Sequence, residues 1–144
     1  MNIKKKANSL ARKYNSRNPF EIIDHLNVIV VFYPLEGVRG FYQYFQRNNI
    51  IYIDERLSYK EKMFVCAHEL GHMLLHKKAN ALFMDSRTYF VSSKYENEAN
   101  YFAAELLIPD SFIIENPDMT KSQLARLAGY EEKIMDYKKV FSLR

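Results

Sequence analysis

The sequence predicts an α+β fold: a small three-stranded sheet packed on a helical core, with further helices towards the C-terminal end. Three observations carry that prediction. Apolar residues recur at helical spacing near the start, at Ile3, Ala7, Leu10 and Ala11. Three short runs rich in β-branched and aromatic residues follow between Val28 and Ile53, separated by turn residues. The stretch from Met63 to Leu75 then carries apolar residues around its whole circumference, the mark of a buried helix.

The elements follow in order. Asn2 to Tyr14 reads as an amphipathic helix whose lysines and arginine form a solvated face. Asn18-Pro19 supplies an N-cap and a proline at the first helical position, opening a short helix through His25. His25, far in sequence from the other histidines, reads as a core or surface residue. Val28 to Tyr33 is a strand stopped by Pro34 and the Gly37/Gly40 turn region. Gly40 to Gln46 is an aromatic, half-exposed strand, Asn48-Asn49 a tight turn, and Ile50 to Ile53 the returning strand. Ser58 and Glu61 form a capping-box signature ahead of the central helix, Tyr59 to His76. Lys77 to Ser93 lacks clear periodicity and reads as an irregular surface segment. Lys94 to Ile108, with its stripe of Tyr95, Ala99, Phe102, Ala103 and Leu106, is the next helix, ended by Pro109. Thr120 to Gln123 is a second capping box, opening a helix to Ala128 that Gly129 closes, and a last helix runs from about Glu131 to Phe141.

Composition narrows the class. A chain of 144 residues, 48% hydrophobic and 26% charged, buries one core without disulfides. The single cysteine, Cys66, excludes an intrachain disulfide, which fits a reducing cytoplasm. No apolar run of signal-peptide kind follows Lys4, Lys5 and Lys6. The longest apolar stretch, Val28 to Leu35, is too short to cross a bilayer, so no membrane partner is expected. The net charge of +4 is mild and the basic residues are scattered, without a long stripe interleaved with aromatics. Direct nucleic-acid binding is therefore not expected, although Q-L-A-R-L-A-G-Y, residues 123–130, loosely resembles the start of a helix-turn-helix.

The chemistry gathers in Phe64 to His76, F-V-C-A-H-E-L-G-H-M-L-L-H, which contains H-E-x-x-H at His68, Glu69 and His72. Residues four apart share a helix face, so the two imidazoles can close on one metal ion. Glu69, one position round, points beside the metal, where a carboxylate can take a proton from a bound water. The competing reading is a chance match with core histidines satisfied by carbonyl groups. A buried helix disfavours it, because two histidines and a carboxylate there are costly unless paired or bound to metal. Cys66 lies on roughly the opposite side of the helix and reads as a small buried apolar residue.

A catalytic zinc site usually takes three protein ligands and keeps one position open. His76 shares the face of His68 and His72, but eight residues along a continuous helix is roughly 12 Å, beyond one ion's reach. It reads instead as a helix-end cation or an outer partner of the site. A carboxylate on the following helix remains. Glu98 and Glu105 lie on one edge of its apolar stripe and Glu96 on the other. Spacing alone does not separate Glu98 from Glu105.

H-E-L-G-H-M-L-L-H followed by E-N-E-A-N-Y-F-A-A-E-L-L-I-P resembles the ImmA/IrrE family of zinc metallopeptidases, over roughly Asn2 to Pro109. The resemblance implies a zincin-like metallopeptidase core at 1–109; beyond it, the second capping box and the two helices read from the residues give a C-terminal helical hairpin at 110–144 packed on the same domain. It implies Zn²⁺ held by His68, His72 and Glu98, with Glu69 as the catalytic base and Glu105 in a supporting place. It further implies a bacterial, cytoplasmic, site-specific endopeptidase of a mobile element, phage or stress locus, whose protein substrate is a DNA-binding helix-turn-helix repressor. The rival is an anti-repressor that sequesters its partner around a structural zinc. A three-ligand site with a well-placed Glu69 argues against it, since structural zinc sites are normally closed with four ligands.

Overall fold

The computed structural model describes residues 2–86 and 89–140. Its architecture is α+β. Helices α1 (Ile3–Tyr14) and α2 (Pro19–His25) precede strands β1 (Ile29–Tyr33), β2 (Gly40–Phe45) and β3 (Asn48–Asp54). Helices α3 (Tyr59–Ser86), α4 (Tyr89–Leu107), α5 (Asp110–Ile114) and α6 (Lys121–Ala128) follow, then a 3-10 helix, Glu132–Tyr137. Among the described residues no helix is long and apolar enough to cross a membrane.

The sheet order is β1-β3-β2, with β1 parallel and β2 antiparallel to β3. The hairpin turns at Gln46-Arg47, both in the left-handed region (φ 49° and 66°), and not at the expected Asn48-Asn49. Packing overrode local turn preference. In the adopted register Tyr42 lies opposite Ile51, so both fill the core, and Asn49 is kept in the strand, accepting a hydrogen bond from the Tyr42 hydroxyl at 2.5 Å. Gly40 begins β2 where a Cβ would meet Val65 Cγ1 at 2.5 Å and the Tyr52 carbonyl at 2.6 Å. Only glycine lets this strand lie so close to α3.

Helix α3 starts where expected, with the Ser58–Glu61 capping box formed in both directions. It is interrupted at His76, whose backbone (φ −131°, ψ 21°) leaves the helical region. The chain beyond it is helical again, so the irregular segment expected over 77–93 is a correction. Lysine, alanine, leucine and methionine favour helix without any periodic pattern. Arg87 and Thr88 of that segment lie outside the described residues, as does Phe141, the expected end of the last helix. That last helix is the short 3-10 turn instead. Lys138, drawn into ion pairs with Glu105 and Asp110, has an extended backbone (φ −90°, ψ 117°) that ends it.

Among the described residues, two clusters form the interior. The larger joins α1, α2, the sheet, α3 and α4 around Ile22, Ile51, Ile53, Leu70, Phe102 and Leu106. The other, around Ile108, Ile113, Leu124, Ile134 and Met135, holds α5, α6 and the 3-10 helix on the end of α4, with Phe64 and Leu107 touching both. Gly71 sets the distance between α3 and α4: a Cβ there would lie 3.2 Å from Phe102 and 3.3 Å from the Ala99 Cα.

Candidate metal centre

The close approach of α3 to α4 brings two pairs of polar side chains face to face. His68 and His72, one turn apart on α3, are buried with ring centroids 4.8 Å apart. Glu96 and Asn100, also one turn apart, present the opposing face of α4. The Glu96 carboxylate spans both imidazoles, with Oε2 3.0 Å from His68 Nε2 and Oε1 2.7 Å from His72 Nε2. Burial works against charge on Glu96, but the hydrogen bonds from the two histidines hold its carboxyl well below the usual range.

The other ring nitrogens are anchored by two separate chains. His68 Nδ1 lies 2.7 Å from Asn100 Oδ1, which only accepts, so Nδ1 carries the proton. His72 Nδ1 lies 3.1 Å from His76 Nδ1, and His76 Nε2 lies 3.1 Å from Glu98 Oε1. The Glu98 carboxylate takes the His76 Nε2 proton, which makes His76 Nδ1 the acceptor of the His72 Nδ1 proton. These tautomers are assigned from the partners. With Nδ1 of both rings protonated by these partners, Nε2 is the nitrogen on each ring that would give up its proton to a metal, and both Nε2 atoms face the Glu96 carboxylate, the arrangement that metal-binding histidines require.

Glu69 completes the cluster. Its carboxylate is buried, 3.9 Å from His68 Nε2, and accepts a hydrogen bond from the backbone N–H of Tyr42 on β2. Donor atoms of His68, Glu69 and His72 all lie within 4.8 Å of one another. Desolvation raises the Glu69 pKa, the condition of a general base. Burial opposes charge on His68 too, but the Glu96 hydrogen bond and the Glu69 charge raise its pKa overall. Two imidazole nitrogens with carboxylate oxygens beside them are donors that could hold a metal ion.

The side chains singled out from the sequence are thus partly gathered. His68, Glu69 and His72 meet. Glu98 does not join them: its carboxylate is on His76, and the place expected for it is taken by Glu96. His76 is 4% exposed, and desolvation lowers its pKa, so it is a neutral link between His72 and Glu98 and not a helix-end cation. Glu105 is remote from the histidines. It is buried against Lys138, and its backbone carbonyl, with that of Leu106, accepts from Arg17. Cys66 is fully buried and burial pushes its thiol pKa up, while His25 stacks on Tyr14 at 4.9 Å. Sequence reasoning missed Glu96 and Asn100. Their signal was the four-residue spacing E-x-x-x-N, which matches the H-x-x-x-H spacing across the interface.

A cleft of about 470 Å³ is walled by Lys60, Phe64, Asn100, Tyr130, Lys133 and Tyr137, and it borders the site through Asn100 and Phe64, which also touch His68.

The family described as IrrE N-terminal-like domain, a peptidase family, matches residues 23–138. This chain belongs to that family. A relative with 39% identity to this chain over 145 residues is "Uncharacterized immunity region protein 2" of Bacillus phage phi105, with 99% of this chain and 92% of that protein covered. "Metallopeptidase ImmA" of Bacillus subtilis strain 168 is 30% identical over 142 residues, covering 94% of this chain and 83% of the relative. Membership in the ImmA/IrrE family implies a metal and a protein substrate. The matched span includes both faces of the site, His68 to His76 on α3 and Glu96 to Asn100 on α4.

Proposed function

We propose that this protein is a zinc-dependent, site-specific endopeptidase that cleaves a helix-turn-helix repressor in the bacterial cytoplasm. The observation that carries the hydrolytic reading is the convergence of His68 Nε2, His72 Nε2 and the Glu96 carboxylate, with the buried Glu69 alongside. The ion would be held by His68, His72 and Glu96, with Glu98 supporting it at one remove through His76. The repressor reading rests on the resemblance of the two motifs to the ImmA/IrrE family, and the similarity to a phage immunity-region protein supports it.

When bound, zinc polarises the scissile carbonyl and acidifies a water molecule, leaving the proton transfers to the protein. Glu69 accepts the proton of the attacking water as its oxygen bonds to the carbonyl carbon. The same carboxyl then gives that proton to the amide nitrogen as the C–N bond breaks. Burial makes Glu69 a stronger base than a free carboxylate, and the Tyr42 N–H keeps it aimed. Asn100, and His76 with Glu98, hold the two imidazoles in the tautomer that leaves Nε2 free. The gap between the helices, set by Gly71 against Phe102, is what lets four side chains from two elements meet.

The test is to incubate the purified, zinc-loaded protein with the repressor encoded beside its gene and to identify products by mass spectrometry. One discrete cut, abolished by a chelator and restored by zinc, is the expected result. A repressor left intact across zinc concentrations, while still bound by the protein, would move the function to sequestration.

A further inference from the structure

We propose that Tyr137, on the C-terminal 3-10 helix, is a positioning residue of the metal site, acting on His68 through Asn100. This rests on the metal reading above and extends it to a part of the chain remote in sequence from both motifs. The Asn100 side chain is held at both ends: its Oδ1 accepts from His68 Nδ1 at 2.7 Å, and its Nδ2 donates to the Tyr137 hydroxyl at 3.2 Å. An amide anchored at one end alone could swing about its own torsions and carry the imidazole with it. The tyrosine removes that freedom.

The tyrosine is itself well placed to act as a fixed post. Its ring packs edge-on against Tyr101, with centroids 5.1 Å apart and planes at 88°. Ile134 and Met135, on the same turn, are buried in the C-terminal cluster. The next residue, Lys138, is 4% exposed and sits between Glu105 and Asp110. The backbone on either side of Tyr137 is thus tied to α4, the helix that carries Glu96 and Asn100. Tyr137 carries the hydrogen bond through which the 3-10 helix joins the hydrogen-bond chain of the histidines.

Outer partners of metal ligands typically contribute 10–100-fold in metal affinity. Asn100, the direct partner, belongs in that range, and Tyr137, one contact further out, at its lower edge. The variant is Tyr137→Phe, which keeps the ring and its packing and removes only the hydroxyl. Zinc affinity would be measured by chelator competition for wild type, Tyr137→Phe, Asn100→Ala and the double variant. The ligand-field spectrum of each cobalt-substituted protein and a thermal melt of each metal-free protein would accompany it.

The expected result is an affinity about tenfold weaker for Tyr137→Phe, a shifted cobalt spectrum, and an unchanged metal-free melt. The double variant should bind as Asn100→Ala does, because an effect transmitted through Asn100 disappears with it. Wild-type affinity in Tyr137→Phe overturns the inference. An equal further loss in the Asn100→Ala background overturns it as well, and marks Tyr137 as a packing residue. Failure of the underlying reading looks different: the wild-type chain would then bind no zinc, or His68→Ala and His72→Ala would keep it.

Discussion

The choice between Glu96 and Glu98 as third ligand can be decided by the stabilisation that zinc confers. Glu96 touches both Nε2 atoms, at 3.0 and 2.7 Å, whereas Glu98 reaches His72 only through His76. At free zinc 100 times the dissociation constant, binding to the native state stabilises it by about 2.7 kcal/mol. A ligand loss that weakens affinity at least 100-fold leaves about 0.4 kcal/mol, so Glu96→Ala forfeits about 2.3 kcal/mol or more. For a domain of this size that is roughly 5–9 °C of melting temperature. Glu98→Ala, acting two contacts away, should cost tenfold or less, about 1.3 kcal/mol and at most roughly 3–5 °C. The assay is the zinc-induced rise in melting temperature of each variant at one free zinc concentration, buffered by a chelator. Reading the rise, and not the melting temperature itself, cancels effects on the metal-free fold, which are small because the Glu96 side chain is 53% exposed. An undiminished rise in Glu96→Ala, together with its loss in Glu98→Ala, would refute the geometry and return the ligand to Glu98.

Two further predictions concern the frame around the site. Lys138 is 1% and Glu105 2% exposed at their side chains, so Lys138→Met strands a buried carboxylate at a cost of about 3–5 kcal/mol. Thermal melts should show a drop of roughly 10 °C, largely reversed in Lys138→Met/Glu105→Leu, and a drop under about 2 °C would contradict the buried pair. Asp54 accepts from Arg56 at 2.9 Å through both carboxylate oxygens, and those hydrogen bonds lower its pKa to about 2 from 3.8. Its contribution is therefore present above about pH 4 and lost as pH falls through 2. Asp54→Asn should be less stable than wild type at pH 6, with most of that difference gone at pH 2, read by denaturant titration at each pH. A gap at pH 2 as large as the one at pH 6 would mean the pairing is not what matters.

The parts of this molecule legible in the sequence are those that local physics decides. The Ser58 and Thr120 capping boxes, the Asn18-Pro19 helix start and the Gly129 closure all depend on residues within one turn, and each formed as its sequence implies. The His68–His72 pair was legible for the same reason, since four-residue spacing alone puts both rings on one face. The misses required knowledge of partners. The hairpin turned at Gln46-Arg47 because Tyr42 and Ile51 had a common core to fill, which the attractive Asn-Asn dipeptide could not report. Glu98 was expected from the resemblance of its motif; Glu96 and Glu98 both border the apolar stripe of α4, and only the rotation of α4 against Gly71 determines which carboxylate faces Nε2 and which faces His76. Glu105 appeared available until Lys138, 33 residues on, folded back to cover it. The helix beyond His76 carries no periodic signal and formed regardless.

The central claim is that this site cuts protein, and Glu69→Gln tests it most directly. Glu69 lies beside the proposed ligands without being one of them, so the variant should keep its fold, its zinc and its grip on the repressor. It removes the acceptor of the water proton, and the cleavage rate should fall by about 10²–10⁴-fold, the usual consequence of losing a general base. Repressor integrity on a gel and a reporter gene, read in the same cells, give the two outcomes. The account predicts an intact repressor and a silent reporter with Glu69→Gln, against a cleaved repressor and an active reporter with wild type. Full derepression by Glu69→Gln over an intact repressor would contradict it.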